Sequence, residues 1–203
     1  MASPHPRIVP CFTPGAQIAT PKGERGVETL TIGDRVLTRD HGIQRIIWSG
    51  HRSLTAADLK ASPALRPVLI RAGSLGNDLP ERDLLVSPMH RMLLVSEIAR
   101  THFGEAEVLV AARDMTRLPG VDVVNVPGIT YLHFMFDAHQ IVLADGTWTE
   151  SFQPNDYSLK GVVPAQREEL FLICPALATQ DGVKRFRAAR KALRRVESIR
   201  LFR

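Results

Sequence analysis

Cys11-Phe12-Thr13-Pro14-Gly15-Ala16-Gln17-Ile18-Ala19-Thr20 sets a thiol, a turn and an alternating strand in ten consecutive residues. Thr13-Pro14-Gly15 projects Cys11 from the head of that first strand. Residues 16–20 alternate and stop at Pro21-Lys22-Gly23, a second turn. The same rhythm continues outward. Residues 35–38 form a short strand after Gly33-Asp34, and residues 43–48 form another after Asp40-His41-Gly42, closed by Ser49-Gly50. Further strands are expected over 67–72, 84–86, 91–95, 107–112, 120–128, 131–136, 140–143 and 147–152. Asp145-Gly146 joins the last pair and is the strongest hairpin signal in the chain. Thr55 followed by Asp58 caps a short helix or turn over 55–60. Strands this short, with turns every ten or so residues, predict an all-β domain and argue against βαβ units.

Beyond Pro154-Asn155-Asp156 the character changes. Residues 166–174 read as a helix stopped by Pro175. Val183, Phe186, Ala189, Leu193, Val196 and Arg200 recur at three and four, which predicts a basic amphipathic helix over about 181–201. The organisation expected is a disordered leader over 1–10, an all-β domain over 11–155 and a C-terminal extension over 156–203.

Bulk properties bound the function. The 203 residues are 44% apolar and 23% charged, ordinary for a globular chain with a real core. The formal charge is +5, but residues 181–203 alone hold nine Lys/Arg against two Asp/Glu, and the rest of the chain carries a net −2. The body therefore has no basic footprint for nucleic acid and no clear membrane signal; the tail is the segment that could meet an acidic partner. Against that stands the plainer reading of a solvated helix docked by Phe186 and Leu193. There is no signal peptide and no apolar run near the ~20 residues that span a bilayer, so a cytoplasmic setting is expected. Only Cys11 and Cys174 occur, which excludes a disulfide framework. Cys174 reads as core. His41, His51 and His102 lack metal-ligand spacing and read as solvated, so no metal or cofactor is expected.

The chemistry lies in Cys11 and in Ser87-Pro88-Met89-His90. An isolated cysteine is more often a small buried apolar residue. Cys11, however, stands where the domain begins, as a nucleophile aimed at its own preceding peptide bond must. Attack on the Pro10 carbonyl gives a thioester, and a histidine supplies the proton that the departing nitrogen requires. Pro88 turns the chain so that Ser87 and His90 share a side.

Together these elements resemble the Hint superfamily, the Hedgehog/intein autoprocessing domains, and a bacterial subgroup of it. Cys11-Phe12-Thr13-Pro14-Gly15 with Ile32-Gly33-Asp34-Arg35-Val36-Leu37 is similar to the family's first block. Ser87 and His90 match its Thr-x-x-His block, with Ser in place of Thr. His139-Gln140-Ile141-Val142-Leu143-Ala144-Asp145-Gly146 is similar to its closing block. The resemblance covers about residues 11–155 and implies a horseshoe-like Hint fold with pseudo-twofold β-halves, here carrying a C-terminal helical appendage. It further implies autocatalytic cleavage of the Pro10–Cys11 bond, with the N-terminal segment as substrate, Cys11 as nucleophile, His90 as proton donor, and Ser87 and His139 in support.

The departures from the family carry information too. A splicing intein ends in His-Asn; the corresponding positions here are Glu150-Ser151, so full splicing is not expected. An Asp commonly found seven residues before the closing histidine is replaced by Leu132, with His133 a substitute and Asp137 a turn residue. Pro10 is a hindered acyl group and slows the step. The acceptor of the acyl group stays open: water, a thiol, an amine or an alcohol. The alternative to self-cleavage is an inactive Hint-fold module used for binding.

Overall fold

Turn chemistry sets the course of the chain. The computed structural model describes residues 9–202. Strands β1 (Gln17–Thr20) and β2 (Gly23–Gly26) form a hairpin turned at Gly23, whose φ of +95° suits glycine. Then come β3 (Arg35–Thr38), β4 (Gly42–Arg45), β5 (Trp48–Thr55) and helix α1 (Ala56–Ala61). As expected, Thr55 and Asp58 cap α1 reciprocally. Next are β6 (Val68–Ile70), β7 (Leu84–Val86), β8 (Arg91–Val95), α2 (Glu97–Phe103) and β9 (Glu107–Ala111). Strands β10 (Val121–Val123), β11 (Gly128–Met135), β12 (Ile141–Ala144) and β13 (Thr147–Glu150) complete the domain. Asp145 and Gly146, both with positive φ, turn β12 into β13.

The architecture is mostly β with no closed barrel. One sheet runs β14 (Lys191–Ala192), β9, β8, β13, β12, β1 and β2 in that order, with β3 and β4 attached at β12; a second is β10-β6-β7; the third is the two-stranded ribbon β11-β5. Ser49-Gly50, read as a turn, instead lies inside β5, opposite Phe134 and His133 of β11. The reason is space. A Cβ on Gly50 would stand 2.6 Å from His133 Nε2, so the glycine admits a ring rather than a turn. Helix α2 was not foreseen, although Ser96 caps it and Gly104 ends it in the left-handed conformation.

The extension departs most from expectation. It comprises α3 (Asp156–Leu159), α4 (Pro164–Ile173), α5 (Gln180–Arg185), a short β14 (Lys191–Ala192) and α6 (Arg195–Leu201). The continuous basic helix over 181–201 is therefore corrected: the helix stops at Phe186, runs extended, pairs parallel to β9, and only then turns helical again. Its apolar residues serve three separate sites. Val183 and Phe186 pack on the cluster around Trp48, Ala189 and Ala192 on Leu93, Leu109 and Ile141, and Leu193 and Leu201 enter the main core with Ile18, Val36 and Val110. A single helix presents one stripe and could not reach all three, so tertiary burial overrides helical propensity. Nor are its cations all solvated. Arg190 pairs with Asp40 and Glu107 at 2.7 Å each, and Arg195 approaches Asp114. Of the leader expected to be disordered, residues 1–8 lie outside the described range; Val9 and Pro10 are buried.

Candidate functional site

A backbone ladder brings the sequence-predicted residues together. Phe12 bridges both Val86 of β7 and Leu132 of β11, and exchanges two hydrogen bonds with Leu132, 2.8 and 2.9 Å. The Ser87 N–H donates to the Cys11 carbonyl at 2.9 Å. Cys11 is thereby threaded between the end of β7, where Ser87 stands, and β11, where His133 stands.

Both potentially reacting atoms of Cys11 are held. Its backbone N–H donates to Ser87 Oγ at 2.9 Å, and that hydroxyl donates onward to the Val9 carbonyl at 2.8 Å. Its Sγ lies 3.3 Å from His133 Nδ1. Burial pushes the thiol far above its ordinary value, only partly offset by the charge of Arg52, so at neutral pH it carries its proton. Burial pushes His133 down to about 3, so its ring is neutral and Nδ1 can accept that proton. The ring forms a triangle with Trp48 and Phe152, centroids 5.1 and 5.2 Å away and those two rings 5.4 Å from each other. Its Nε2 has no partner among the described residues.

His90 sits on the other side of Phe12, ring centroids 4.4 Å apart. Thr149 Oγ1 donates to the Arg91 carbonyl at 2.8 Å and stands 2.6 Å from His90 Nε2. With its own proton committed, the hydroxyl accepts from Nε2–H, which leaves Nδ1 as the free lone pair. That Nδ1 is buried and unpartnered among the described residues, and burial pushes His90 down to about 4. The group in contact with the Cys11 nitrogen is thus Ser87, while the His90 backbone N–H donates to the Ser87 carbonyl at 3.0 Å.

His139 belongs to a neighbouring network. Its Nδ1 accepts from the Ala189 N–H at 2.9 Å, and its Nε2 lies 3.3 Å from Glu150 Oε2, off line for a hydrogen bond but close enough for attraction. Glu150 is fully buried. Burial pushes its carboxyl up, but Arg91, His139 and His90 outweigh that and hold it below the usual range. Arg91 binds it twice, through the backbone N–H at 2.9 Å and Nη1 at 3.0 Å. Asp137 is exposed in a bend, as a turn residue should be. His51, read as solvated, is exposed yet also lines the cavity beside Cys11 with Arg52. Sequence reasoning missed Thr149, Arg91 and Arg52. The Asp145-Gly146 hairpin was the available signal for Thr149, since it folds β13 back beside the domain's interior.

A family model for the Hint domain matches residues 10–156. Among solved structures, a bacterial intein-like domain from Clostridium thermocellum is 12% identical, over 70% of this chain and 97% of that one, with a TM-score of 0.42. A DnaB intein from Synechocystis sp. PCC 6803 is 8% identical, over 70% and 98%, with a TM-score of 0.40. No curated protein matches the chain in sequence.

Proposed function

The chain belongs to the Hint domain family, and from that premise we propose that Cys11 cleaves the Pro10–Cys11 peptide bond by an N-to-S acyl shift, without splicing. The observation that carries this is the double hold on one residue: the Cys11 thiol on His133 at 3.3 Å and the Cys11 nitrogen on Ser87 at 2.9 Å. His133 Nδ1 takes the thiol proton as Sγ bonds to the Pro10 carbonyl carbon. The bond from that carbon to the Cys11 nitrogen then breaks, and the nitrogen leaves as an amine. The proton that left the thiol ends on that nitrogen. Ser87 Oγ keeps the nitrogen in line; His133 gives up the proton it took, and His90 Nδ1, free at rest, takes that proton up and passes it to the nitrogen, since a ring pushed down to about 4 is a strong acid once charged. The Glu150 carboxylate favours the charged form of His90, while Arg91 and His139 oppose it.

Splicing is excluded in this reading because the pair at the splice terminus is Glu150-Ser151, of which Glu150 is already bound twice by Arg91. Neither side chain has an amide nitrogen with which to cyclise.

Intact mass of the full chain tests the proposal. The expected result is loss of residues 1–10 in the wild type, absent in Cys11→Ala and strongly slowed in His133→Ala and His90→Ala. Cleavage that persists in Cys11→Ala overturns the mechanism. The inactive-module reading draws support from one observation, the burial of Cys11 to 3% exposure. It gains if Pro10→Gly, which removes the hindered acyl group, also leaves the mass unchanged.

A further inference from the structure

The extension does more than follow the domain. Val162, Leu170 and Leu177 share a buried cluster with Val9, Cys11, Trp48 and Tyr131. Residues from both sides of the proposed scissile bond, Val9 and Cys11, are therefore packed against residues that follow the domain. A cavity beside the thiol is lined by Cys11, His133, Tyr131 and Leu65 of the domain and by Gly161, Val162 and Val163 of the extension. Its free volume is about 20 Å3. A water molecule needs about 10–15 Å3 on that measure, so the space takes about one. His133 also contributes the only side-chain atom of this lining that is buried and unpartnered among the described residues, Nε2. A bulkier hydroxyl or amine that enters this space meets Val162, which is 4% exposed.

We infer that water is the acyl acceptor, and that Val162 is the residue that makes it so. This rests on the self-cleavage reading and deepens it. The water oxygen bonds to the former Pro10 carbonyl carbon, its proton passing to His133 Nδ1. The carbon–sulfur bond breaks, and Cys11 Sγ leaves with the electron pair and recovers a proton from His133. The products are residues 1–10 with a free carboxylate, and a chain beginning at Cys11 with a free amine and thiol. No oxidant, metal or second substrate is required.

The experiment uses the full chain in 18O-labelled water with free cysteine present, a bulky acceptor whose thioester rearranges to a stable amide. In the wild type the released fragment carries one 18O and almost no cysteine adduct. In Val162→Ala the adduct-to-acid ratio rises about tenfold or more, the order that one methylene of pocket space is worth in discrimination. Val163→Ala, at an exposed position of the same lining, gives a smaller rise and guards against a misfolded Val162 variant; thermal melts accompany both. Equal adduct fractions in wild type and both variants, or released acid without 18O, overturn the inference while leaving self-cleavage intact. Absence of cleavage in every chain, with or without the acceptor, overturns the self-cleavage reading and this inference with it.

Discussion

Gly50→Ala is the most searching perturbation of the site, because it touches no reacting group and yet acts on the base. The added Cβ would lie 2.6 Å from His133 Nε2, 2.7 Å from Gln166 Oε1 and 2.9 Å from the Trp48 ring. Gln166 meets it with the far end of a flexible side chain and yields cheaply. The His133 ring cannot, since Trp48 and Phe152 stack against it and both are buried. Real Cβ contacts stay beyond 3.0 Å, so the ring or the backbone of β5 must give. Gly50 lies opposite His133 on the neighbouring strand, and the same ring holds the Cys11 thiol at 3.3 Å. Overpacking of this kind costs about 1–3 kcal/mol. At about 2–4 °C per kcal/mol for a domain of this size, Tm falls by ~2–12 °C. A positioned base contributes roughly 10²–10⁴-fold, so losing its alignment slows cleavage by at least about tenfold. The assay is a time course of intact mass at a temperature where circular dichroism shows the variant folded. Adding Gln166→Ala relieves only the cheap contact and should restore little. A Gly50→Ala chain that melts lower but cleaves at the wild-type rate would refute the argument that ring position governs the reaction.

Ser87→Ala leaves the Cys11 N–H and the Val9 carbonyl without their shared partner, at about 1–3 kcal/mol, and slows cleavage at least about tenfold; Ser87→Thr, which keeps the hydroxyl, retains most of the rate by the same mass assay. Leu193→Ala, in the main core rather than on a solvated helix, costs about 2–5 kcal/mol in urea melts; a change under about 0.5 kcal/mol, normal for surface sites, would return the tail to the surface. Acid destabilises the fold. His90 at about 4 binds fewer protons when folded than its unfolded counterpart at 6.5, so stability is present above 6.5 and is lost as pH falls from there toward 4. The difference amounts to roughly 3 kcal/mol from this residue, with His133, at about 3, adding loss in the same direction. Urea melts of Cys11→Ala across pH 7 to 4 measure this, and a flat profile contradicts it.

The domain was legible because its turns are local. Gly23, Asp145-Gly146 and the Thr55–Asp58 box each act within four residues, and each stands where turn or cap chemistry puts it. Cys11, Ser87, His90 and His133 could be named from motif and position, but not the division of labour between Ser87 and His90, which depends on the hydroxyl of Thr149 and the turn geometry across β8 and β13. Gly50 misled because glycine signals a turn and close packing alike, and only the partner strand distinguishes them. The tail misled for a related reason. Residues spaced at three and four need not face one surface when the chain can leave the helix, and the acids that hold Arg190, Asp40 and Glu107, lie 150 and 83 residues away.

Strand β14 is only two residues long, yet it occupies an edge. Its neighbour β9 reads Glu107-Val108-Leu109-Val110-Ala111, with the three central side chains fully buried and no proline to interrupt pairing. A bare strand of that composition is a template on which another chain can add. Lys191 and Ala192 fill that position in parallel, and Lys191 and Arg194 are exposed, so what faces outward is short and charged. The terminal segment therefore works as a stopper against intermolecular strand addition. A chain ending before Lys191 should reveal this as turbidity that grows with protein concentration, well before any loss of secondary structure.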